Sequence, residues 1–113
     1  MHEMSIAQNI VSIVDETLAG EKYQRLREVV VDVGELVAVV PESLEFCYMV
    51  ITEKTKFQDS KLTIRVLPLV GKCRKCQAES KVERFDFVCA KCQARDLEII
   101  QGEELHISHL EVD

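Results

Sequence analysis

Apolar residues near the start of the chain recur every three or four positions, the spacing that places side chains on one face of an α-helix. The stripe predicts an amphipathic helix over residues 4–19, with Ser5 and Gln8 as an N-terminal capping box and Gly20 just beyond its end. We expect this helix to cover one face of a sheet. Its apolar members are Ile6, Ala7, Ile10, Val11, Ile13, Val14 and Leu18.

Four later segments have the apolar alternation and the β-branched residues of strands. The first is rich in valine, with Val29, Val31 and Val33 on one side. The second ends at Pro68, and a turn at Gly102 separates the last two segments, which predict one or two returning strands. The predicted strand segments are residues 26–34, 61–69, 97–100 and 105–112.

A second helix is predicted to begin at Pro41, because proline is well tolerated as the first residue of a helix. Leu44, Cys47, Tyr48 and Ile51 then lie on one face at helical spacing. Cys47 is therefore interpreted as a thiol buried in the core.

The order of elements predicts an α+β fold in which two helices lie on a small three-stranded mixed sheet. A cysteine-containing module is inserted between two of the strands. The predicted domains are residues 1–70 plus 96–113, which form the α+β domain, and residues 71–95, which form the insert.

The net charge of the chain changes from negative to positive at the insert. Residues 71–95 carry seven basic and three acidic side chains, whereas the rest of the 113 residues carries seven basic and seventeen acidic ones. No apolar run approaches the roughly 20 residues that span a bilayer, and acidic residues interrupt the first apolar segment, so we expect a cytoplasmic protein without a signal peptide. Five cysteines in a reducing compartment indicate metal binding or catalysis rather than disulfides.

The insert reads CRKCQAESKVERFDFVCAKC, with two C-x-x-C pairs separated by twelve residues. Each pair can chelate one ion, and a hairpin between the pairs can bring all four thiolates together. Four sulfur ligands in a tetrahedron suit Zn²⁺, so the insert is predicted to be a zinc-ribbon-like module with a structural zinc site. The predicted ligands are Cys73, Cys76, Cys89 and Cys92.

Alternative interpretations of the cysteines remain open. A redox dithiol needs only one C-x-x-C pair, and an iron–sulfur cluster also uses four cysteines. A zinc ribbon that binds nucleic acid fits the local positive charge, although the module's aromatic residues are limited to Phe85 and Phe87, interpreted as packing on the metal core. The chain has no nucleophile–base pair and no glycine-rich phosphate loop, so we do not expect an enzyme.

The first three residues, Met1, His2 and Glu3, form a second possible metal site. The α-amine, the His2 and Glu3 amide nitrogens and the His2 imidazole can surround one ion in a plane, a geometry that Ni²⁺ or Cu²⁺ prefers. The Glu3 carboxylate could hydrogen-bond the imidazole or add a ligand. Spacing alone favours an ordinary surface histidine at His2 over a metal ligand.

The whole chain resembles the HypA/HybF family of hydrogenase-maturation nickel chaperones. The resemblance rests on Met-His-Glu at the start, on VVVDVGEL ending in Gly34-Glu35, on SLEFCY in the second helix and on the two cysteine pairs. It implies delivery of Ni(II) to the large subunit of nickel–iron hydrogenase, and in some organisms to urease. It also implies a nickel-handling maturation GTPase as partner, and no nucleic acid or membrane.

The resemblance further implies that His2 is the nickel ligand, with the Met1 amine and Glu3 beside it, and that the four cysteines hold structural zinc. The α+β domain would then be the nickel-binding domain and the insert the zinc-binding domain. His106 and His109 are further nickel candidates by residue type only, and both are expected to be surface histidines. A homodimer formed by strand exchange is conceivable.

Overall fold

A computed structural model describes residues 2–113, so Met1, an expected nickel ligand, lies outside the described residues. The predicted α+β class, with two helices, small sheets and a four-cysteine cluster, is confirmed. Neither helix in the described part is long and apolar enough to cross a lipid bilayer. In chain order the elements are α1 (Glu3–Leu18), β1 (Leu26–Gly34), a 3-10 helix (Glu35–Val37), α2 (Pro41–Thr52), β2 (Lys61–Leu67), β3 (Val70–Cys73), β4 (Glu79–Lys81), β5 (Leu97–Gln101) and β6 (Leu105–Val112).

The ends of α1 differ in how well the sequence predicted them. His2 is the N-cap residue, with an extended backbone and no side-chain capping bond. The predicted capping box at Ser5 is wrong, because the helix begins two residues earlier and Ser5 lies inside its first turn. The other end follows the prediction, since Gly20 comes after the C-cap residue with a φ of +80°, which glycine adopts without strain.

The chain divides into two compact units. The first comprises Met1–Asp32, Val39–Arg65 and His106–Asp113, and the second comprises Val33–Ala38 and Val66–Leu105. The second unit extends beyond the predicted 71–95 insert at both ends, because β3 and β5 flank the cysteine loops and pair with each other. Which unit holds which metal stays a prediction.

The first unit has its core between the two helices and the sheet β2-β1-β6. Strand β1 is the central strand of this sheet and is buried on both faces from Val29 to Gly34, which the alternation of valines did not predict. The α2 residues Leu44 and Tyr48 are buried, whereas Cys47 is half-buried rather than buried as predicted. The buried residues of α1 are Ile6, Ala7, Ile10, Val14 and Leu18.

The sheet of the first unit is mixed. Glu28 contacts Thr63, and Asp32 contacts Arg65 further along both strands, as expected of a parallel pair β1 and β2 joined across α2. At the other edge of β1, the Gln24 N–H donates to the Asp113 carbonyl and the Gly34 N–H donates to the Glu104 carbonyl. The partner's residue number falls as β1 advances, so β1 and β6 are antiparallel.

The second unit is built on the antiparallel sheet β4-β3-β5. Leu69 and Val82 are fully buried and form its small core with the two buried cysteines. Phe85, interpreted as packing on the metal core, is instead 58% exposed at the tip of a turn. The apolar core of this unit is therefore short of large side chains.

A close backbone crossing explains two of the glycines in the second unit. A Cβ atom on Gly34 would lie 2.1 Å from the carbonyl carbon and oxygen of Gly102. The Gly34 N–H donates to Glu104 O at 2.7 Å, and the Leu36 N–H donates to Gly102 O at 2.9 Å. Gly102 itself has a φ of +125°, at the predicted turn between β5 and β6. Gly34 is required for space, since its own φ of −71° suits any residue.

Candidate functional site

The two cysteine pairs are held by loops of the same conformation, CRKCQA from Cys73 and CAKCQA from Cys89. In each loop the carbonyl of the first cysteine accepts a hydrogen bond from the N–H of the glutamine, at 2.9 Å in the first loop and 3.0 Å in the second. The N–H of the same cysteine donates to the carbonyl of the alanine, at 2.9 and 2.8 Å respectively. Gln77 and Gln93 both have a left-handed backbone, with φ of 66° and 67°. The structure therefore contains one metal-binding turn used twice.

Each turn directs two backbone N–H groups at the sulfur of its first cysteine. Lys75 and Cys76 donate to Cys73 Sγ at 3.4 and 3.5 Å. The corresponding residues of the second turn, Lys91 and Cys92, donate to Cys89 Sγ at 3.4 Å each. Such hydrogen bonds stabilise the negative charge of a thiolate.

These hydrogen bonds set the acidity of the thiols. The Cys76 N–H is the largest cause that lowers the pKa of the Cys73 thiol. The N–H groups of Cys92 and of the residue before it lower the pKa of Cys89 to about 6. The Ala94 N–H lowers the pKa of Cys92, but the neighbouring thiols and burial outweigh it and raise that pKa to about 11. Close negative charges resist full ionisation of the four sulfurs, and a divalent cation relieves this repulsion.

The four sulfur atoms form a cluster of the size that a tetrahedral zinc site needs. Cys73 Sγ lies 3.6 Å from Cys92 Sγ, and Cys76 Sγ lies 3.5 Å from Cys89 Sγ. All four lie within 4.8 Å of one another. Zn–S bonds of about 2.3 Å place tetrahedral sulfurs about 3.8 Å apart, so the residues present fit a zinc ion without a large rearrangement.

Residues outside the turns fix their orientation. The Arg74 N–H donates to the carbonyl of Asp96 at 2.9 Å, and its guanidinium pairs with the carboxylate of the same residue at 2.7 Å. In the second turn the Ala90 N–H donates to the hydroxyl of buried Ser80 at 3.2 Å. Corresponding N–H groups of the two turns therefore have different partners, supplied from different parts of the unit.

The C-x-x-C spacing predicted the four cysteines but not the residues that support them. The repeated sequence C-x-K-C-Q-A could have predicted the role of the two glutamines, because the residue directly after the second cysteine must turn the chain back. No sequence signal identified Ser80 or Asp96, which reach the turns only through the tertiary fold.

The structure places His2 and Glu3 directly at the start of α1. His2 is exposed, and its carbonyl accepts the N–H of Ile6 at 3.2 Å. Glu3 is half-buried in the first helical turn. Because the first N–H groups of a helix have no intrahelical acceptor, those of His2 and Glu3 are not needed for the hydrogen bonds of α1.

The remaining histidines do not join a metal cluster. Within residues 2–113, the four cysteines are the one group of three or more histidine, cysteine or acidic side chains placed to hold an ion. His106 Nε2 lies 3.4 Å from Asp32 Oδ2, and His109 Nδ1 lies 3.1 Å from Ser108 Oγ. Both histidines are exposed, as predicted.

Known proteins match this chain along essentially its whole length. Residues 1–112 match the family described as "Hydrogenase/urease nickel incorporation, metallochaperone, hypA". Hydrogenase maturation factor HypA of Trichodesmium erythraeum is 41% identical over 113 residues, covering all of this chain and 96% of the relative. The protein of the same name from a Nostoc species is 38% identical with the same coverage.

The fold is also similar to that of a solved HypA structure. The solution structure of the Ni metallochaperone HypA from Helicobacter pylori is similar over 99% of this chain and 97% of that one. The TM-score is 0.68 and the sequence identity is 25%. The similarity therefore extends over both compact units.

Proposed function

Because the chain belongs to the HypA family of nickel-incorporation metallochaperones for hydrogenase maturation, we propose that it binds one Ni(II) at its N-terminus and delivers it to the large subunit of nickel–iron hydrogenase. The observation that carries the proposal is the exposed His2 at the N-cap of α1. The family description also supports nickel delivery for urease as a second use of the same cargo.

The proposed nickel ligands are the Met1 amine, the amide nitrogens of His2 and Glu3, and the His2 imidazole. Metal binding replaces the two amide protons, which costs no hydrogen bond of α1 because these groups precede its first intrahelical donor. The positive end of the helix dipole favours the deprotonated amides. In this proposal the Glu3 carboxylate hydrogen-bonds the imidazole or adds a ligand.

We propose that Cys73, Cys76, Cys89 and Cys92 hold a structural Zn(II). Four thiolates close the coordination sphere, leaving no position for cargo or substrate. The bound ion supplies the cross-link that the small core of the second unit lacks. Nickel and zinc then have separate sites with different donor atoms, nitrogen for the cargo and sulfur for the structural ion.

Transfer of the cargo requires a site that opens easily, and a chain end is free to rearrange. We propose that a nickel-handling maturation GTPase contacts the first unit near α1 and exchanges the ion in the cytoplasm. Family membership favours this function over the nucleic-acid-binding alternative for the basic zinc module. Since the nitrogen ligands must be deprotonated, acid is expected to release the nickel.

The test is a nickel titration of untagged protein that begins at Met1, with metal analysis and X-ray absorption spectroscopy. Wild type should bind one nickel through nitrogen ligands and one zinc through sulfur. His2→Ala should lose nickel while keeping zinc and the circular dichroism spectrum, and residues added ahead of Met1 should have the same effect.

The matched control is His109→Ala, which removes another exposed histidine of the first unit and should leave nickel binding unchanged. Full nickel affinity in His2→Ala, or sulfur ligands around added nickel, would contradict the assignment.

A further inference from the structure

Helix α2 has apolar residues on two faces, and the fold buries only one of them. Leu44, Tyr48 and Thr52 are buried in the first unit. Phe46, Met49 and Val50 lie on another face at the i, i+3, i+4 spacing of one helical stripe, with 60%, 62% and 43% of their surface exposed. A contiguous apolar stripe that folding does not cover marks an interaction site.

The stripe borders two adjoining depressions in the surface of the first unit. One, of about 520 Å³, extends from α2 to the loop that follows it, and the other, of about 370 Å³, extends to the start of β2. Both are lined by Phe46, Met49 and Ser60. The stripe is therefore a surface with room on either side for the side chains of a partner.

The rim of these depressions is acidic. Their lining includes four carboxylates and one cation, Lys61. In the described part of the chain, none of the four carboxylates forms an ion pair. They are available to a partner with positive charge. The four carboxylates are those of Glu42, Glu45, Glu53 and Asp59.

We propose that this surface, Phe46, Met49 and Val50 with its acidic rim, docks an amphipathic helix of another protein whose apolar stripe is flanked by lysine or arginine. The apolar side chains enter the depressions, and the basic ones meet the four carboxylates. Flexible methionine suits such a site because it adapts its packing to the partner, and the Phe46 ring supplies a large apolar contact surface.

A second copy of this chain does not provide the required helix. In the described residues, neither α1 nor α2 contains a lysine or an arginine, and both begin with acidic residues in their first turns. Two copies that met through α2 would bring like charges together. The charge of the site therefore favours a different protein.

The test uses the full-length, zinc-loaded protein and a fluorescent model peptide of leucine and lysine, about four helical turns long. Fluorescence anisotropy measures its affinity, with a leucine–glutamate peptide of the same pattern as the control ligand. Wild type should bind the lysine peptide, more weakly at high salt, and should not bind the glutamate peptide. Amide chemical shifts should change within residues 42–61.

Phe46→Ser with Met49→Ser should weaken binding at least about tenfold. The matched control is Ile13→Ser, which removes an apolar side chain of α1 that is 50% exposed and should leave the affinity unchanged. Glu42→Gln with Glu45→Gln should weaken binding and reduce its salt dependence. Circular dichroism establishes that each variant is folded.

Equal affinity of wild type and the Phe46/Met49 variant, or shift changes centred on α1, would overturn the proposal. Concentration-dependent self-association that the same variant abolishes would also overturn it, because the occupant would then be a second copy. The His2→Ala variant should still bind the peptide, so failure of the nickel assignment and failure of the docking surface are distinguishable.

Discussion

Gly34→Ala tests the backbone crossing of the second unit, and its cost follows from the structure. The new methyl group would lie 2.1 Å from the Gly102 carbonyl and 2.6 Å from the Glu103 nitrogen, where ordinary contacts begin at 3.4 Å. These neighbours are backbone atoms, which cannot change rotamer. Relief of the overlap requires one segment to move by about 1 Å or more in an interior that is otherwise closely packed.

The movement would break the hydrogen bonds that join the two segments, from Gly34 N–H to Glu104 O and from Leu36 N–H to Gly102 O. Each such bond contributes about 1 kcal/mol net, and overpacking costs about 1–3 kcal/mol. We therefore expect Gly34→Ala to lower the free energy of unfolding by about 3–5 kcal/mol. A domain has about 5–15 kcal/mol in total.

The measurement is urea unfolding with saturating zinc, followed by amide signals of the unit that contains each substitution, the second unit for Gly34 and the first for Gly20. Gly20→Ala is the matched control, because a Cβ there meets nothing within 4 Å and only the φ of +80° is unfavourable. That strain should cost about 1 kcal/mol. A loss for Gly34→Ala no larger than that for Gly20→Ala would refute the argument from space.

Two further predictions concern the charges of the first unit and the metal of the second. Arg65 hydrogen-bonds Asp32 at 2.7 and 3.0 Å and holds the pKa of this carboxyl below its usual range. Because the pKa of Asp32 is lower in the folded than in the unfolded chain, its ionised form stabilises the fold at pH values above the unfolded pKa of about 3.9. This stability is lost as the pH falls through the pKa of Asp32 in the folded chain. Asp32→Asn should therefore cost about 1 kcal/mol at neutral pH, given the half-exposed arginine, and much less near pH 2. Urea unfolding at both pH values checks this, and an equal loss at both would contradict it. Removal of zinc by a chelator, or Cys89→Ser, should abolish the amide dispersion of the second unit while the far-ultraviolet helical signal of α1 and α2 remains. Helix loss in parallel with zinc loss would show that the first unit does not fold on its own core.

The cysteine site shows how far local sequence can determine a metal centre. The C-x-x-C spacing fixes the two sulfurs of each turn, because the chain between them is too short to separate them. The meeting of Cys73 and Cys76 with Cys89 and Cys92 needs the sheet that joins the two turns. The supports from Ser80 and Asp96 are long-range contacts that no spacing in the sequence encodes.

Helix α2 illustrates what periodicity leaves open. The apolar spacing predicted its buried face through Leu44 and Tyr48, and the fold uses that face. Phe46, Met49 and Val50 satisfy the same spacing and remain exposed. A helix with two apolar stripes can dock by either one, and packing in three dimensions decides between them.

The sequence by itself determined the order and type of the main elements, the pairing of the cysteines within each C-x-x-C turn, and Gly20 and Gly102 as turns, because these depend on neighbours along the chain. The tertiary structure alone decided that β1 is buried on both faces, that the second unit extends past the cysteines to β3 and β5, and that Gly34 is held against Gly102. Those outcomes depend on which distant segments meet, and contact between distant segments follows from the packing of the whole chain rather than from any local pattern.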